Sequence, residues 1–249
     1  MFTQLIRATP RPLILASALA LGAAYFAARF PDMHGASAGA YVSTFLIALP
    51  SAVALFSYLG RRQAALSLLA LSAFGYTIET VGVVTGFPYG SFYYGDALGH
   101  KLAGLVPYLL PISYAPLVVG AVAASWGSAR RPLHALAAAL LLVLMDGVLD
   151  PGAVSLGFWI WPEGGPYYGV PPSNYAGWLF SGTLAAYLLL SIGRWRSPPS
   201  PGLLDSAIIA LFFWIGVAAL SSMVLPTLLG IALSVYLLGR RSRLRAAKQ

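Results

Sequence analysis

The chain has 249 residues, of which 59% are hydrophobic and 9% are charged, and it contains no cysteine. Soluble chains carry about a quarter charged residues, so this composition excludes a soluble domain and predicts an all-α, polytopic integral membrane protein. The lack of cysteine excludes a disulfide scaffold and cysteine catalysis. The net charge of +8 lies in short basic clusters between apolar runs, which is typical of membrane topology signals, so no nucleic-acid partner is expected.

Apolar runs of roughly 17–25 residues predict a bundle of about eight transmembrane helices in a single membrane domain, residues 1–249. The first run resembles a signal peptide, but its membrane-spanning length favours a first helix. The predicted spans are 13–28, 36–59, 64–85, 102–126, 133–149, 175–192, 203–220 and 223–238.

The basic residues predict the orientation of these spans. They precede the first span and follow every second one, with the largest cluster after the eighth. By the positive-inside rule, both termini are cytoplasmic and the protein is a multi-pass protein of the cell membrane. The basic residues at these positions are Arg7, Arg11, Arg61, Arg62, Arg130, Arg131, Arg194, Arg196, Arg240, Arg241, Arg243, Arg245 and Lys248, whereas the other connections hold only Arg29 and Lys101.

Two outer connections, residues 86–96 and 150–170, are rich in aromatic residues, glycine and proline. Aligned at Phe87 and Trp161, both read aromatic-Pro-x-Gly-x-x-Tyr-Tyr-Gly, a short internal repeat that places both loops on one side. Single aromatic residues are typical of an interfacial belt, whereas this density predicts a pocket that stabilises a cation and packs against an apolar ligand. The aromatic candidates for substrate binding are Tyr93, Tyr94, Trp159, Trp161, Tyr167, Tyr168 and Trp178.

Three acidic residues lie in or at the end of apolar spans. Glu79 falls within the third span, and Asp146 and Asp150 share one helix face near the outer end of the fifth. A carboxylate in the hydrocarbon core costs free energy, so it normally faces the interior of the helix bundle and has a function there. The simpler alternative is a structural hydrogen bond between two helices. For Asp150, followed by Pro151, the alternative is the start of a turn. Neighbouring carboxyl groups tend to share a proton, so the pair is suited to acid and base catalysis.

The remaining titratable residues are given structural roles. Asp205 is predicted to cap a helix, and Asp96 and Glu163 are predicted to be solvated in the aromatic loops. His134 is interpreted as a membrane-interface residue near a helix end. His100 is either a loop residue or a proton shuttle. No metal site is predicted, since the sequence lacks a cluster of suitable ligands.

Several motifs together resemble a known family over residues 40–195. These motifs are Glu79 with Val81-Gly82 and Thr85-Gly86, Pro88-Tyr-Gly with Tyr93-Tyr-Gly, Asp146 with Asp150-Pro151, and Trp159-x-Trp with Tyr167-Tyr-Gly-Val-Pro171 and Asn174-Tyr-x-Gly-Trp178. The chain resembles the membrane carotenoid hydratases, which include bisanhydrobacterioruberin hydratase and the γ-carotene or lycopene hydratases.

The resemblance implies a hydro-lyase that needs no cofactor and adds water to the terminal double bond of an acyclic carotenoid ψ-end, giving a tertiary alcohol. The partners would be water, the lipid bilayer and an acyclic or monocyclic carotenoid, either lycopene, γ-carotene or a longer bacterioruberin precursor. Asp146 and Asp150 would supply the proton, and Glu79 would position or activate water. Asn174 would join the aromatic residues in binding the substrate.

Two other functions remain open. A lycopene cyclase protonates the same double bond but excludes water, so that an alkene of the chain traps the cation. In a proton-coupled transporter, the intramembrane acids would be proton relays. The carboxylates cluster at one end of the bundle and no pair of broken helices is evident at the midplane, which disfavours transport.

Overall fold

The computed structural model describes residues 9–30, 36–127, 130–195 and 197–247. Within these residues the chain forms eight α-helices, and seven of them, one taken together with the 3₁₀ helix Pro201–Leu204 that precedes it, are long and apolar enough to cross a membrane. The predicted all-α, multi-pass membrane bundle is confirmed. The basic residues Arg7, Arg196 and Lys248 lie outside the described residues.

Two long, partly paired connections, residues 86–109 and 156–171, lie on one side of the bundle. Prolines in the first turn open α1, α4, α5 and α6, where a missing N–H costs no helix hydrogen bond. The helices are α1 (Arg11–Arg29), α2 (Ala36–Leu59), α3 (Arg61–Thr85), α4 (Leu110–Ala124), α5 (Arg131–Ser155), α6 (Pro172–Gly193), α7 (Asp205–Leu220) and α8 (Val224–Ala246). The strands are β1 (Tyr93–Tyr94), β2 (Lys101–Leu102), β3 (Val106–Pro107) and β4 (Trp159–Ile160).

The fourth helix is shorter than the sequence predicts. It begins at Leu110 rather than at residue 102 and has 15 residues. The preceding apolar residues form an antiparallel hairpin instead, in which Lys101 of β2 pairs with Pro107 of β3. Ala103 and Gly104 both have positive φ, which turns the chain between these strands and prevents an earlier helix start.

The fifth helix is longer than predicted, because it runs through Asp150 and Pro151 to Ser155. The interpretation of Asp150 and Pro151 as a turn is therefore wrong. A proline inside a helix leaves the carbonyl four residues earlier without its usual donor. Here that carbonyl belongs to Gly147, and the Tyr167 hydroxyl donates to it at 3.1 Å. This hydrogen bond from the following loop stabilises the helix past the proline.

The ends of α2, α4, α6 and α8 meet on the side that carries the basic clusters. Arg240 of α8 donates to the carbonyl oxygen of Ala124 at the end of α4, at 2.7 Å. The Tyr58 hydroxyl of α2 donates to the carbonyl of Ser197 after α6, at 2.6 Å. Asp205, at the start of α7, accepts from Arg241 at 2.6 Å and makes no capping hydrogen bond, so its predicted capping role is wrong. The short helix α4 thus ends on the same side of the bundle as the longer helices α2, α6 and α8.

The two aromatic loops meet on the opposite side. β1 pairs with β4, so that Tyr93 lies opposite Ile160 and Tyr94 lies opposite Trp159. The prediction that both loops share one side of the bundle is confirmed by this pairing. The paired strands hold both loops over the outer ends of α3 and α5.

Helix α4 lies at the centre of the bundle and is buried from Tyr114 to Ala124. Its neighbours approach closely through small residues, as is usual between membrane helices. A Cβ atom on Gly120 would lie 2.7 Å from the Cβ atom of Ala207 on α7. A Cβ atom on Gly182 of α6 would lie 3.1 Å from Leu142 of α5. This close packing fixes the helices that carry the candidate site.

Candidate active site

Three buried carboxyl groups converge beneath the aromatic loops. Glu79 lies on α3, and Asp146 and Asp150 lie one turn apart on α5. Each of these residues is at most 5% exposed. The carboxyl groups of Glu79 and Asp150 are close enough to interact electrostatically. The structure therefore brings together the three acidic residues that the sequence singled out.

Asn174, in the first turn of α6, bridges the two aspartates. Its Nδ2 atom donates to Oδ2 of Asp146 at 2.9 Å and also to Oδ2 of Asp150. The two carboxyl groups are also within hydrogen-bonding reach of each other. Oδ1 of Asp146 is buried and has no hydrogen-bond partner among the residues that the structure describes. A proton shared between the two carboxyl groups would satisfy this oxygen.

Tyrosines surround Glu79. The Tyr94 hydroxyl donates to Oε2 of Glu79 at 2.8 Å, and the nearby Tyr89 hydroxyl donates to Oγ of Ser181 at 2.9 Å. Burial, followed by the neighbouring Glu79 carboxyl group, raises the pKa of Tyr89 and that of Tyr94 well above their ordinary value. Both phenols consequently remain protonated and act as hydrogen-bond donors.

Tyr114 of α4 is a candidate that the sequence analysis missed. Its residue is 2% exposed, and its ring centroid lies 5.8 Å from that of Trp178. Its hydroxyl has no hydrogen-bond partner in the described part of the chain. Gly75 of α3 faces the ring, where a Cβ atom would lie 3.3 Å from Cδ1 of Tyr114. In the sequence, Tyr114 is one aromatic residue within an apolar run, so no local signal identifies it.

The carboxyl groups of Glu79 and Asp150 lie on the wall of a cavity of about 470 Å³. Asp146, one helical turn before Asp150 on α5, does not line the cavity. Tyr114 also lines this cavity, and its buried hydroxyl lies close enough to Glu79 to interact with it electrostatically. Most of the remaining wall is apolar or aromatic, which suits a hydrocarbon ligand with one reactive end.

Five of the eight predicted substrate-binding residues line the cavity: Tyr94, Trp159, Trp161, Asn174 and Trp178. Their aromatic rings form a continuous cap. The ring centroids of Tyr94 and Trp159 are 6.1 Å apart, and those of Phe92 and Trp161 are 5.7 Å apart. The indole of Trp159 also lies near the Asp150 side chain, and both residues line the cavity, so the cap lies next to the acid pair.

The other three predicted binding residues lie away from this wall. Tyr93 is 48% exposed, because successive residues of a strand point to opposite faces and its neighbour Tyr94 points inward. Tyr167 hydrogen bonds to the Gly147 carbonyl, and the Tyr168 hydroxyl lies 3.5 Å from the backbone nitrogen of Leu225 on α8. Tyr167 and Tyr168 thus hold the loop between α5 and α6 against these two helices, α5 and α8.

The histidines and loop acids lie outside the carboxyl cluster. His134 is 3% exposed with Nε2 2.9 Å from the Val122 carbonyl oxygen, so it packs between α4 and α5, in the first turn of α5. His100 and Glu163 are exposed. Asp96 is exposed and forms a 2.8 Å salt bridge with Lys101, which lowers the pKa of the Asp96 carboxyl group.

The fold and the site define an integral membrane protein whose buried acid groups face an apolar cavity. The chain belongs to the family of carotenoid biosynthesis proteins, whose model matches residues 39–237. The predicted resemblance is confirmed, and the match extends beyond residues 40–195 to include α7 and much of α8.

A curated relative carries a more specific name. The bisanhydrobacterioruberin hydratase of Haloarcula japonica is 43% identical to this chain over 185 residues. The alignment covers 70% of this chain and 62% of the relative. No solved structure matches the chain.

Proposed function

We propose that the protein is a carotenoid hydratase, a hydro-lyase that adds water to the terminal double bond of an acyclic ψ-end and forms a tertiary alcohol without a cofactor. The observation that carries this proposal is the pair of carboxyl groups from α3 and α5, Glu79 and Asp150, on the wall of an aromatic-capped apolar cavity. The name of the Haloarcula japonica relative supports the same reaction. The substrate would be lycopene, γ-carotene or a longer bacterioruberin precursor.

Asp150 is the proposed proton donor, because it reaches the cavity and shares Asn174 with Asp146. Its carboxyl proton adds to the less substituted carbon of the terminal alkene, and the electron pair of the double bond forms the new C–H bond. The other alkene carbon becomes a tertiary cation. Asp146 stabilises the acid by sharing its proton before transfer.

The aromatic cap is the proposed stabiliser of this cation. The faces of Trp159, Trp161 and Trp178 are electron-rich, and a cation near an aromatic face gains about 0.5–2 kcal/mol, depending on how far it is desolvated. In an apolar cavity this interaction replaces solvation by water. The same faces pack against the conjugated chain of a carotenoid.

Glu79 is the proposed base for the attacking water. A water molecule held by Glu79 and the unpartnered Tyr114 hydroxyl would attack the tertiary cation through its oxygen. Its released proton would pass to the Glu79 carboxylate, whose position Tyr94 fixes by a 2.8 Å hydrogen bond. One proton thus leaves Asp150 and one arrives at Glu79, and exchange with water returns the site to its starting state.

Pigment analysis tests this proposal against the cyclase alternative. The protein is expressed in a lycopene-accumulating host, with the Asp150→Asn variant as the inactive control. A hydratase gives a more polar carotenoid with an unchanged chromophore, whereas a cyclase gives a ring at the chain end. A cyclic product, or no hydrated product from the intact protein with lycopene, γ-carotene or a bacterioruberin precursor, would contradict the proposal.

A further inference from the structure

The cavity continues beyond the acid groups as a slot between helices. Its wall follows one face of each of α1, α2, α4 and α7. On α7 the lining residues Ser206, Ala210 and Trp214 are one turn apart and extend over about 12 Å of helix. A long, narrow and mostly apolar space of this kind fits an extended hydrocarbon chain.

The slot has a mouth between α1 and α2. Phe26 of α1 and Phe30, the residue that follows α1, line the cavity and are nevertheless 58% and 45% exposed. Gly39 of α2 also lines the cavity and is exposed. A residue that lines a cavity and is also exposed lies at its opening. Phe26 and Gly39 lie within two helices that are long and apolar enough to cross a membrane, so the opening lies between two candidate membrane spans.

Unequal packing of α1 explains why the seam is open. On one side, α1 packs tightly along α7, where a Cβ atom on Gly216 would lie 2.7 Å from the Cβ atom of Ala24. On the other side, the described residues of α1 and α2 touch at few places. Helix α1 is therefore fixed mainly by its packing against α7, and its described residues make few contacts with α2.

We propose that this seam is a lateral portal, through which the acyclic isoprenoid chain of the substrate passes from the bilayer to the carboxyl groups. The proposal rests on the proposed function for the identity of that chain. A carotenoid is as apolar as the lipid core, so it approaches from within the membrane rather than from water. It is also longer than the slot, so that the chain end occupies the slot while the remainder extends through the mouth into the lipid.

A cysteine introduced at the mouth allows a direct test, because the chain contains no other cysteine. The variants are Gly39→Cys at the mouth and Gly22→Cys on the outer surface of α1 as a matched control. A Cβ atom at either glycine has no described atom within 4 Å, so both exposed positions accept the change. Carotenoid binding and hydration are measured for each variant before and after alkylation with a bulky maleimide. The unalkylated form of the same variant is therefore the reference for its alkylated form.

The readouts are the carotenoid that copurifies with the protein and the hydrated product. Alkylation of Gly39→Cys is expected to lower both by about tenfold or more, whereas alkylation of Gly22→Cys leaves both unchanged. Ala40→Cys, on the same wall, provides a second mouth variant should Gly39→Cys fold poorly.

Unchanged carotenoid binding and hydration after alkylation at both mouth positions would overturn the portal and leave the proposed function intact. An equal loss from alkylation at position 22 would overturn it as well. A third outcome separates the two proposals. If the protein binds carotenoid, loses that binding when the mouth is alkylated, and makes no tertiary alcohol, the portal is supported and the proposed function is contradicted.

Discussion

The amide of Asn174 organises the acid pair, because one nitrogen donates to carboxyl groups of two residues. Hydrogen bonds to carboxylates are stronger than those between neutral groups, so they fix side-chain orientation in a buried site. Asn174 is itself 2% exposed at the start of α6. We therefore assign Asn174 mainly to positioning of the acid pair, although it also lines the cavity.

Loss of the acid groups is expected to abolish hydration. Asp146→Asn, Asp150→Asn and Glu79→Gln keep the side-chain shape and remove acidity, and at least two of them should eliminate the hydrated product. General acid or base catalysis contributes typically 10²–10⁴-fold, so a loss of this order is expected for Asp150→Asn. Carotenoid analysis by chromatography, with membrane insertion and bound pigment measured in parallel, gives the result.

Glu163→Gln is the matched control for these variants, since Glu163 is an exposed loop acid. It should retain wild-type product levels. Wild-type rates in all three site variants would show that the carboxyl mechanism is wrong.

The aromatic cap gives a second prediction. Replacement of Trp159, Trp161 and Trp178 singly by leucine should lower turnover in at least one variant by about threefold to thirtyfold, as expected for the loss of a cation–π interaction. Tyr168→Leu is the comparison, because Tyr168 lies against α8 rather than on the cavity wall. Full activity in all three tryptophan variants would mean that these residues form only an interfacial belt.

Tyr114→Phe tests the proposed water position, since it removes only a hydroxyl. We expect kcat to fall by about tenfold or more while KM stays nearly constant, because the hydroxyl contacts water rather than the hydrocarbon chain. Tyr76→Phe, which removes a hydroxyl that donates to the Tyr108 carbonyl at 3.2 Å, is the control. An unchanged kcat for Tyr114→Phe would exclude this hydroxyl from water binding.

Among the secondary-structure elements, small residues determine how closely neighbouring helices approach each other. Gly120 of α4 lies against Ala207 of α7, and Gly177 of α6 lies against Tyr89, where a Cβ atom would lie 2.6 Å from the ring. These contacts place α4 and α6 close enough for Tyr114 and Asn174 to reach the cavity wall. The geometry of the site therefore depends on glycines outside it.

A pair of glycine substitutions tests this packing. Gly120→Ala should destabilise the bundle by about 1–3 kcal/mol, because its Cβ atom would overlap Ala207 in a packed core. Gly22→Ala should be neutral or stabilising by up to about 1 kcal/mol, because its Cβ atom enters open space and alanine favours a helix. Thermal unfolding in detergent measures both, and equal effects would contradict the packing argument.

The whole molecule has two distinct ends, one basic and one aromatic. Arg240 and Arg241 hold the inner ends of α4 and α7 to α8, and the β1–β4 pair joins the outer loops. Because consecutive helices connect these ends alternately, the described chain crosses between them eight times, including the 15-residue α4. The acid groups lie near the aromatic end.

Reporter fusions test the membrane orientation. Fusions at Arg62, Arg130 and Arg196 should report a cytoplasmic location, because positively charged loops remain inside. Fusions within residues 88–96 and 160–172 should report an external location. A basic loop found outside would contradict both the orientation and the outer position of the acid groups.

The sequence by itself determined the class of fold and the identity of the acid residues. Apolar length and basic flanks are local properties, so they predicted the helices without knowledge of their packing. A carboxyl group within an apolar run can also be recognised from the sequence alone, and Glu79, Asp146 and Asp150 were identified as candidates for that reason. The repeated Tyr-Tyr-Gly motif likewise placed both aromatic loops on one side.

Only the tertiary structure decided which side chains face the cavity. Tyr94 and Tyr93 are neighbours in the sequence, yet the pairing of β1 with β4 turns one inward and leaves the other exposed. Tyr114 becomes a candidate site residue only because α3 and α6 pack around it. The mouth of the cavity exists only because α1 packs along α7 and has few contacts with α2 among the described residues. These outcomes depend on contacts between residues far apart in the chain, which hydropathy and local spacing do not encode.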